Sequence, residues 1–204
     1  FVLKDVLGKV PDLDPTLVED VMLGCGQPAG EAGYNLARVA AVMAGLDDVP
    51  GVTVNRYCSS SLQTIRMAAH AIKAGEGDVF ISAGVETVSR YAHGAADVGP
   101  HHEAFAEAEA RTAERAGGDA PKWEPPAGLP DIYIAMGQTA ENVVQAECVG
   151  RQEMDEWGAR SQQRAVESQN NGFFAREITP YTLPDGTVVS KDDGPRDGTT
   201  VEKL

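Results

Sequence analysis

The chain has 204 residues and is 42% hydrophobic, which is enough for a buried core and for one or two domains. Its formal net charge of −14 argues against nucleic acid or an anionic membrane as a general partner, so a polyanionic ligand would have to meet a local basic patch. No apolar run reaches the length of a membrane span, and three cysteines fit a reducing, cytoplasmic setting better than a disulfide scaffold.

In chain order, the opening "FVLKDVLGKV" shows neither a signal peptide nor an initiator Met, which leaves processing or truncation open. Val2, Leu3, Val6 and Leu7 read as the end of a helix, and "VEDVMLG" (18–24) as a strand. Residues 33–45 read as a helix with Leu36, Val39, Ala40 and Met43 on one face, stopped by Gly45. "DDVPG" is a loop, and 52–57 read as a strand, with Val52 and Val54 alternating with polar residues. Next come Cys58, three serines offering an N-cap, and a helix with an apolar face of Leu62, Ile65, Ala69 and Ile72 that ends at Gly75. "DVFISAG" (78–84) reads as a second buried strand. The two strands should then run parallel, joined by a right-handed crossover.

Cys58 thus falls where a strand's C-terminal end meets a helix N-terminus, the edge at which sites gather in open α/β sheets. A thiolate is the nucleophilic form of cysteine. The free thiol titrates near ~8.5, and the positive end of a helix dipole favours the anion. Position alone leaves two readings open, a nucleophile or a small buried hydrophobe. Cys25 and Cys148 read as buried packing residues.

After Arg90 the composition shifts to Ala, Glu, Gly and Pro, which sets a boundary near Tyr91 and gives segments 1–91 and 92–204. Residues 103–116 read as a charged surface helix supported by Glu107 and Arg111 at i,i+4. The run 117–130 reads as an extended connection. Two helices follow, roughly 136–147 and 151–169, the second stopped by "NNG". "REITPYTLPDGTVVS" reads as a hairpin turning at Pro184-Asp185-Gly186.

Three ordered motifs carry a family resemblance across nearly the whole chain. They are "GCGQPAGEAGYNLAR" (24–38), "VTVNRYCSSSLQTIRMAAHAIKAGEGDVFISAGVETVSR" (52–90) and "YIAMGQTAENV" (133–143). Together the chain resembles the thiolases, acetyl-CoA acyltransferases that act on 3-ketoacyl-CoA. The resemblance implies an α/β fold: 1–91 would be the N-terminal half, rich in βαβ units with a mixed sheet, and 92–204 an irregular α+β loop domain covering the CoA.

By the same resemblance Cys58 is the catalytic nucleophile, its backbone N–H is one donor of the acyl-enzyme oxyanion hole, and Leu129, Met136 and Arg196 contact the CoA. Lys203 stands where some members place a Ser contact. Asn55 and Glu86 match an amide and a buried acid that fix the loops around Cys58. The implied substrates are CoA thioesters, with no permanently bound cofactor and no metal site. The implied assembly is a homodimer or homotetramer, without nucleic acid.

Several family features are missing from these residues: the Arg-Thr/Ser-Pro strand, the Gly-His-Pro motif, an Asn-containing motif and the Cys-x-Gly-Gly-Gly motif. The reading is therefore of an N-terminal portion that does not turn over substrate by itself. His70, His93, His101 and His102 match no catalytic position and read as solvated or structural. Short-chain biosynthetic members carry His before the Met of the third motif, where this chain has Ala135. That departure favours a degradative thiolase of fatty-acid or bulkier acyl groups. A biosynthetic acetoacetyl-CoA thiolase is the alternative. A non-catalytic CoA- or lipid-binding relative is another, which the intact Cys58 argues against.

Overall fold

The computed structural model describes residues 1–96, 99–118 and 122–204, with nothing taken from the side chain of His93. The expected connection over 117–130 therefore lies outside the described residues at 119–121, and so does the reading of the His93 side chain. The chain divides into two compact units, Phe1–Gly99 and Pro100–Leu204. Residues 92–96 lie with the first unit. Gln27 ties them there, its Oε1 accepting from Ala96 N–H at 2.6 Å and its Nε2 donating to Gly94 O at 3.4 Å.

Among the described residues the first unit is built on a three-stranded sheet that is parallel throughout rather than mixed as expected, because helices carry the chain back between its strands. Strand β1 (Asp20–Gly24) runs between β2 (Gly51–Val54) and β3 (Phe80–Gly84), with Gly24 opposite Val54 on one side and Gly84 on the other. β2 and β3 are parallel as expected, with β1 between them. Helices α1 (Val2–Gly8), α2 (Leu36–Ala44) and α3 (Ser60–Ala74) complete the unit. Val21 packs with Ala41 and Leu3, and Leu23 packs with Ala37. Gly24, one residue further along, meets the first turn of α3. Strand alternation thus puts α2 and α3 on opposite faces of the sheet, in three layers.

Both helices lay small residues against the sheet. α3 buries Ser60, Thr64, Ala68 and Ala71, and leaves Leu62, Ile65 and Ile72 exposed at 68%, 57% and 48%. α2 buries Ala37 and Ala41, with Leu36 and Ala40 packed against the core beside them, while Val39 and Met43 are exposed. The reason is distance. Small side chains let a helix axis come close to the sheet, and Gly24 and Gly84 carry no side chain to hold α3 away. A methyl group at Gly24 would stand 2.5 Å from Ser61 N and 2.6 Å from the Ser60 carbonyl carbon, and one at Gly84 would collide with Ser61 Oγ. β3, expected to be buried, is half-exposed because it forms one edge of the sheet. Glu19 anchors its entry, accepting from the N–H groups of Asp78 and Val79 at 2.6 and 3.1 Å.

The C-terminal stops follow the sequence reading. Gly45 and Gly75 take the left-handed conformation that closes α2 and α3.

The second unit holds helices α4 (Ala106–Ala116), α5 (Met136–Glu147) and α6 (Arg151–Asn170), and a short antiparallel hairpin of β4 (Tyr181–Thr182) and β5 (Val188–Val189). Glu107 and Arg111 pair at 3.3 Å as expected. Asn171 and Gly172 end α6, and Gly186 makes the left-handed turn of the hairpin. Among the described residues, no helix is long and apolar enough to cross a membrane.

Candidate active site

β2 stops at Val54 rather than continuing to Tyr57. The Asn55 side chain accepts the Tyr57 N–H at 2.9 Å and turns the chain out of the sheet. Tyr57 then takes φ +45°, a left-handed conformation that costs an L-residue about 1–2 kcal/mol. Cys58 follows in a single 3-10 turn, Tyr57–Ser59, and α3 begins at Ser60. Cys58 is exposed, and so the small-buried-hydrophobe reading does not hold for it. Among the described residues, no hydrogen-bond acceptor faces its backbone N–H. The site therefore offers an accessible sulfur, a free backbone donor beside it and the N-terminal end of a 15-residue helix.

The serines act differently from the expected caps. Ser59 is the N-cap, yet its side chain accepts no helix N–H. Ser60, at 3% exposure, reaches backwards: its Oγ accepts from Arg56 N–H at 2.9 Å and donates to Tyr57 O at 2.6 Å. Sequence patterning does not separate these two roles, because both ask for a small hydroxyl near a helix start.

Asn55 and Glu86 both sit on this loop cluster, and Glu86 is exposed rather than the buried acid expected. The Glu86 carboxylate takes Gly26 N–H in a short hydrogen bond and lies 3.9 Å from Cys25 Sγ. Gly26 backs directly onto the turn, since a methyl group there would lie 3.2 Å from both Tyr57 Cα and Tyr57 O. Cys25 is fully buried, and burial, assisted by the nearby Glu86 carboxylate, pushes its thiol up from the ordinary value. Cys148 is corrected: it is exposed, at the left-handed C-terminus of α5, with Lys122 Nζ 3.8 Å from its sulfur.

The other three predicted contacts belong to the second unit and stand apart within it. Leu129, half-exposed, lines a cavity of about 320 Å³ beside α4 with Glu107 and Arg111, and its carbonyl accepts from Arg111 at 2.7 Å. Arg196 lines another, of about 480 Å³, with Gln163, Glu167 and Thr199. These cavities share no lining residue. Met136 opens α5 at 73% exposure and lines neither, with Ala135 as its N-cap. Lys203 donates to Gly198 O at 2.7 Å.

His70 is exposed on α3. His101 stacks on Tyr133 with centroids 3.8 Å apart and bonds Glu109 at 2.7 Å, and the His102 ring accepts Ala104 N–H, which are structural roles. Among the described residues, no cluster of His, Cys, Asp and Glu is placed to hold a metal ion.

The first unit thus presents an exposed cysteine after a left-handed residue, between a parallel strand and a helix of a three-layer α/β arrangement. The family model described as "Thiolase, N-terminal domain" matches residues 1–204, and the chain belongs to that family. It is 39% identical over 201 residues to a beta-ketoadipyl-CoA thiolase of Acinetobacter baylyi, covering 95% of this chain and 48% of that protein. A 3-oxoadipyl-CoA/3-oxo-5,6-dehydrosuberyl-CoA thiolase of Escherichia coli is 37% identical over 218 residues, at 99% and 50% coverage. The crystal structure of the dimeric peroxisomal thiolase of Saccharomyces cerevisiae superposes with TM-score 0.77 at 31% identity, covering 100% of this chain and 48% of that one. The chain spans about half the length of the curated relatives it matches.

Proposed function

We propose that the protein is a degradative 3-ketoacyl-CoA thiolase in which Cys58 carries the acyl group. The observation that supports this most is the presentation of Cys58: exposed, beside its own unengaged N–H, at the start of α3. In this reading Cys58 Sγ, as thiolate, adds to the keto carbonyl of a 3-ketoacyl-CoA. The bond to the neighbouring α carbon breaks, that carbon takes a proton, and acetyl-CoA leaves. The acyl group remains as a thioester on Cys58. The Cys58 N–H bears on the oxyanion formed at each addition. The sulfur of a second CoA then displaces Cys58, giving an acyl-CoA two carbons shorter. The base that forms the thiolate and the acid that protonates the α carbon are assigned to the remaining half that the longer relatives carry.

Residues 92–204 act as the loop domain in this proposal, with Met136 along the pantetheine, Leu129 as an apolar contact near the CoA and Arg196 toward the nucleotide, where a guanidinium suits phosphate or adenine. No permanent cofactor is involved. The protein works in the cytoplasm as a homodimer or homotetramer, in β-oxidation or the breakdown of bulkier acyl groups.

The test is iodoacetamide labelling of the full-length protein with peptide mapping. Cys58 is expected to react before Cys25, whose thiol is buried and pushed up. Acyl-CoA should protect it. Faster labelling of Cys25 or Cys148, with no protection of Cys58, overturns the assignment.

Acyl size is a second measurable consequence. Ala135 puts a methyl group next to Met136 where short-chain members carry an imidazole, and the related thiolases are named for 3-oxoadipyl groups. Each methylene buried in an apolar pocket contributes about 0.8 kcal/mol. A few of them separate medium or bulky acyl groups from acetoacetyl by about one to two decades in kcat/KM. Steady-state thiolysis of a series from acetoacetyl-CoA to eight-carbon, ring-bearing and 3-oxoadipyl substrates is expected to rise with acyl size. A maximum at acetoacetyl-CoA would instead indicate the biosynthetic enzyme.

A further inference from the structure

We propose that Ser60 is a positioning residue whose buried hydroxyl clasps the two residues leading into Cys58 and holds Tyr57 in its left-handed conformation. The inference rests on the reading of Cys58 as the nucleophile. Its geometry is local and complete. Ser60 Oγ accepts from Arg56 N–H at 2.9 Å and donates to Tyr57 O at 2.6 Å, so one side chain engages the two residues that precede Cys58. The Ser60 backbone N–H also points to Tyr57 O. Tyr57 is thereby held at both ends, its N–H on Asn55 and its carbonyl on Ser60.

A bulky residue does not choose φ +45° by itself, so the turn persists only because its surroundings determine it. Ser60 is itself fixed, buried at 3% where α3 presses on Gly24. The clasp therefore transmits the seating of α3 on the sheet to the turn that carries the sulfur. If the hydroxyl is removed, the Arg56 N–H loses its acceptor and the Tyr57 carbonyl one of its donors, and Tyr57 is free to relax toward negative φ. That rotation swings both Cys58 Sγ and the Cys58 N–H away from a reacting carbonyl.

The test is Ser60→Ala in the full-length protein, alone and combined with Tyr57→Gly. Glycine occupies left-handed backbone without cost, so it removes the need for the clasp. Ser60→Ala is expected to lower kcat of thiolysis about tenfold to thirtyfold with the KM for CoA within about twofold, the pattern of an interaction acting on the reacting groups rather than on substrate binding. The double variant is expected to lie within about threefold of Tyr57→Gly alone, a rescue that a purely packing role for Ser60 does not produce. Unchanged kcat in Ser60→Ala, or no rescue in the double variant, overturns the proposal. Should Ser60→Ala fail to fold, recovery of folding by Tyr57→Gly supports the clasp, and failure of both variants to fold overturns it. Thiolysis by Cys58→Ser is measured alongside. Its persistence points to failure of the nucleophile reading, whereas an inactive Cys58→Ser with a fully active Ser60→Ala isolates the failure to Ser60.

Discussion

Cys58→Ser in the full-length protein is expected to lower thiolysis by at least about a thousandfold while leaving the fold intact, a magnitude in keeping with the loss of a covalent nucleophile. A serine hydroxyl in place of the thiol nearly keeps the size of the side chain, and Cys58 is exposed, so no core contact is lost. What changes is the nucleophile. A base strong enough to take the proton of a thiol does not ionise an alcohol, whose proton is far harder to remove. Steady-state thiolysis, with thermal melting as the check on folding, decides the matter. Activity within tenfold of wild type refutes the covalent route through Cys58.

The second large effect is expected at a residue that takes no part in the chemistry. Gly24→Ala places a methyl group 2.5 Å from Ser61 N and 2.6 Å from the Ser60 carbonyl carbon, both backbone atoms that cannot rotate aside. Either α3 lifts from the sheet or β1 bends, and the expected loss is about 3 kcal/mol, at the upper end for overpacking. For a chain of this size that amounts to a fall in Tm of about 6–12 °C. Gly8→Ala is the control, since nothing stands within 4 Å of the added methyl group, and its Tm should stay level or rise slightly. Equal melting temperatures for Gly24→Ala and wild type would mean that the close seating of α3 is not what holds this face of the unit. Because Ser60 and Ser61 sit at that contact, Gly24→Ala should also disturb the turn that presents Cys58.

Local chemistry makes much of this protein legible in its sequence. Glycine alone takes left-handed backbone without cost, so Gly45 and Gly75 mark helix ends wherever the chain goes afterwards. Pro184-Asp185-Gly186 turns a hairpin for the same local reason. The elements around Cys58, and the sulfur's place between strand and helix, follow from residues within a dozen positions of it. The family resemblance rests on the same short stretches.

The tertiary structure decided what depends on distance between residues far apart in the chain. Periodicity marked α3 as a helix with an apolar face of Leu62, Ile65 and Ile72, but it is Ser60, Thr64, Ala68 and Ala71 that face the sheet. The side chains that fit a gap depend on how wide the gap is. Here Gly24 and Gly84, on two strands, narrow it until only small residues fit. The support of the site is equally non-local. Glu86 holds Gly26 from sixty residues away, and Gly26 backs onto Tyr57. The left-handed Tyr57 has no signature in its own sequence, because an L-residue with a large side chain avoids that conformation unless contacts formed on folding hold it there.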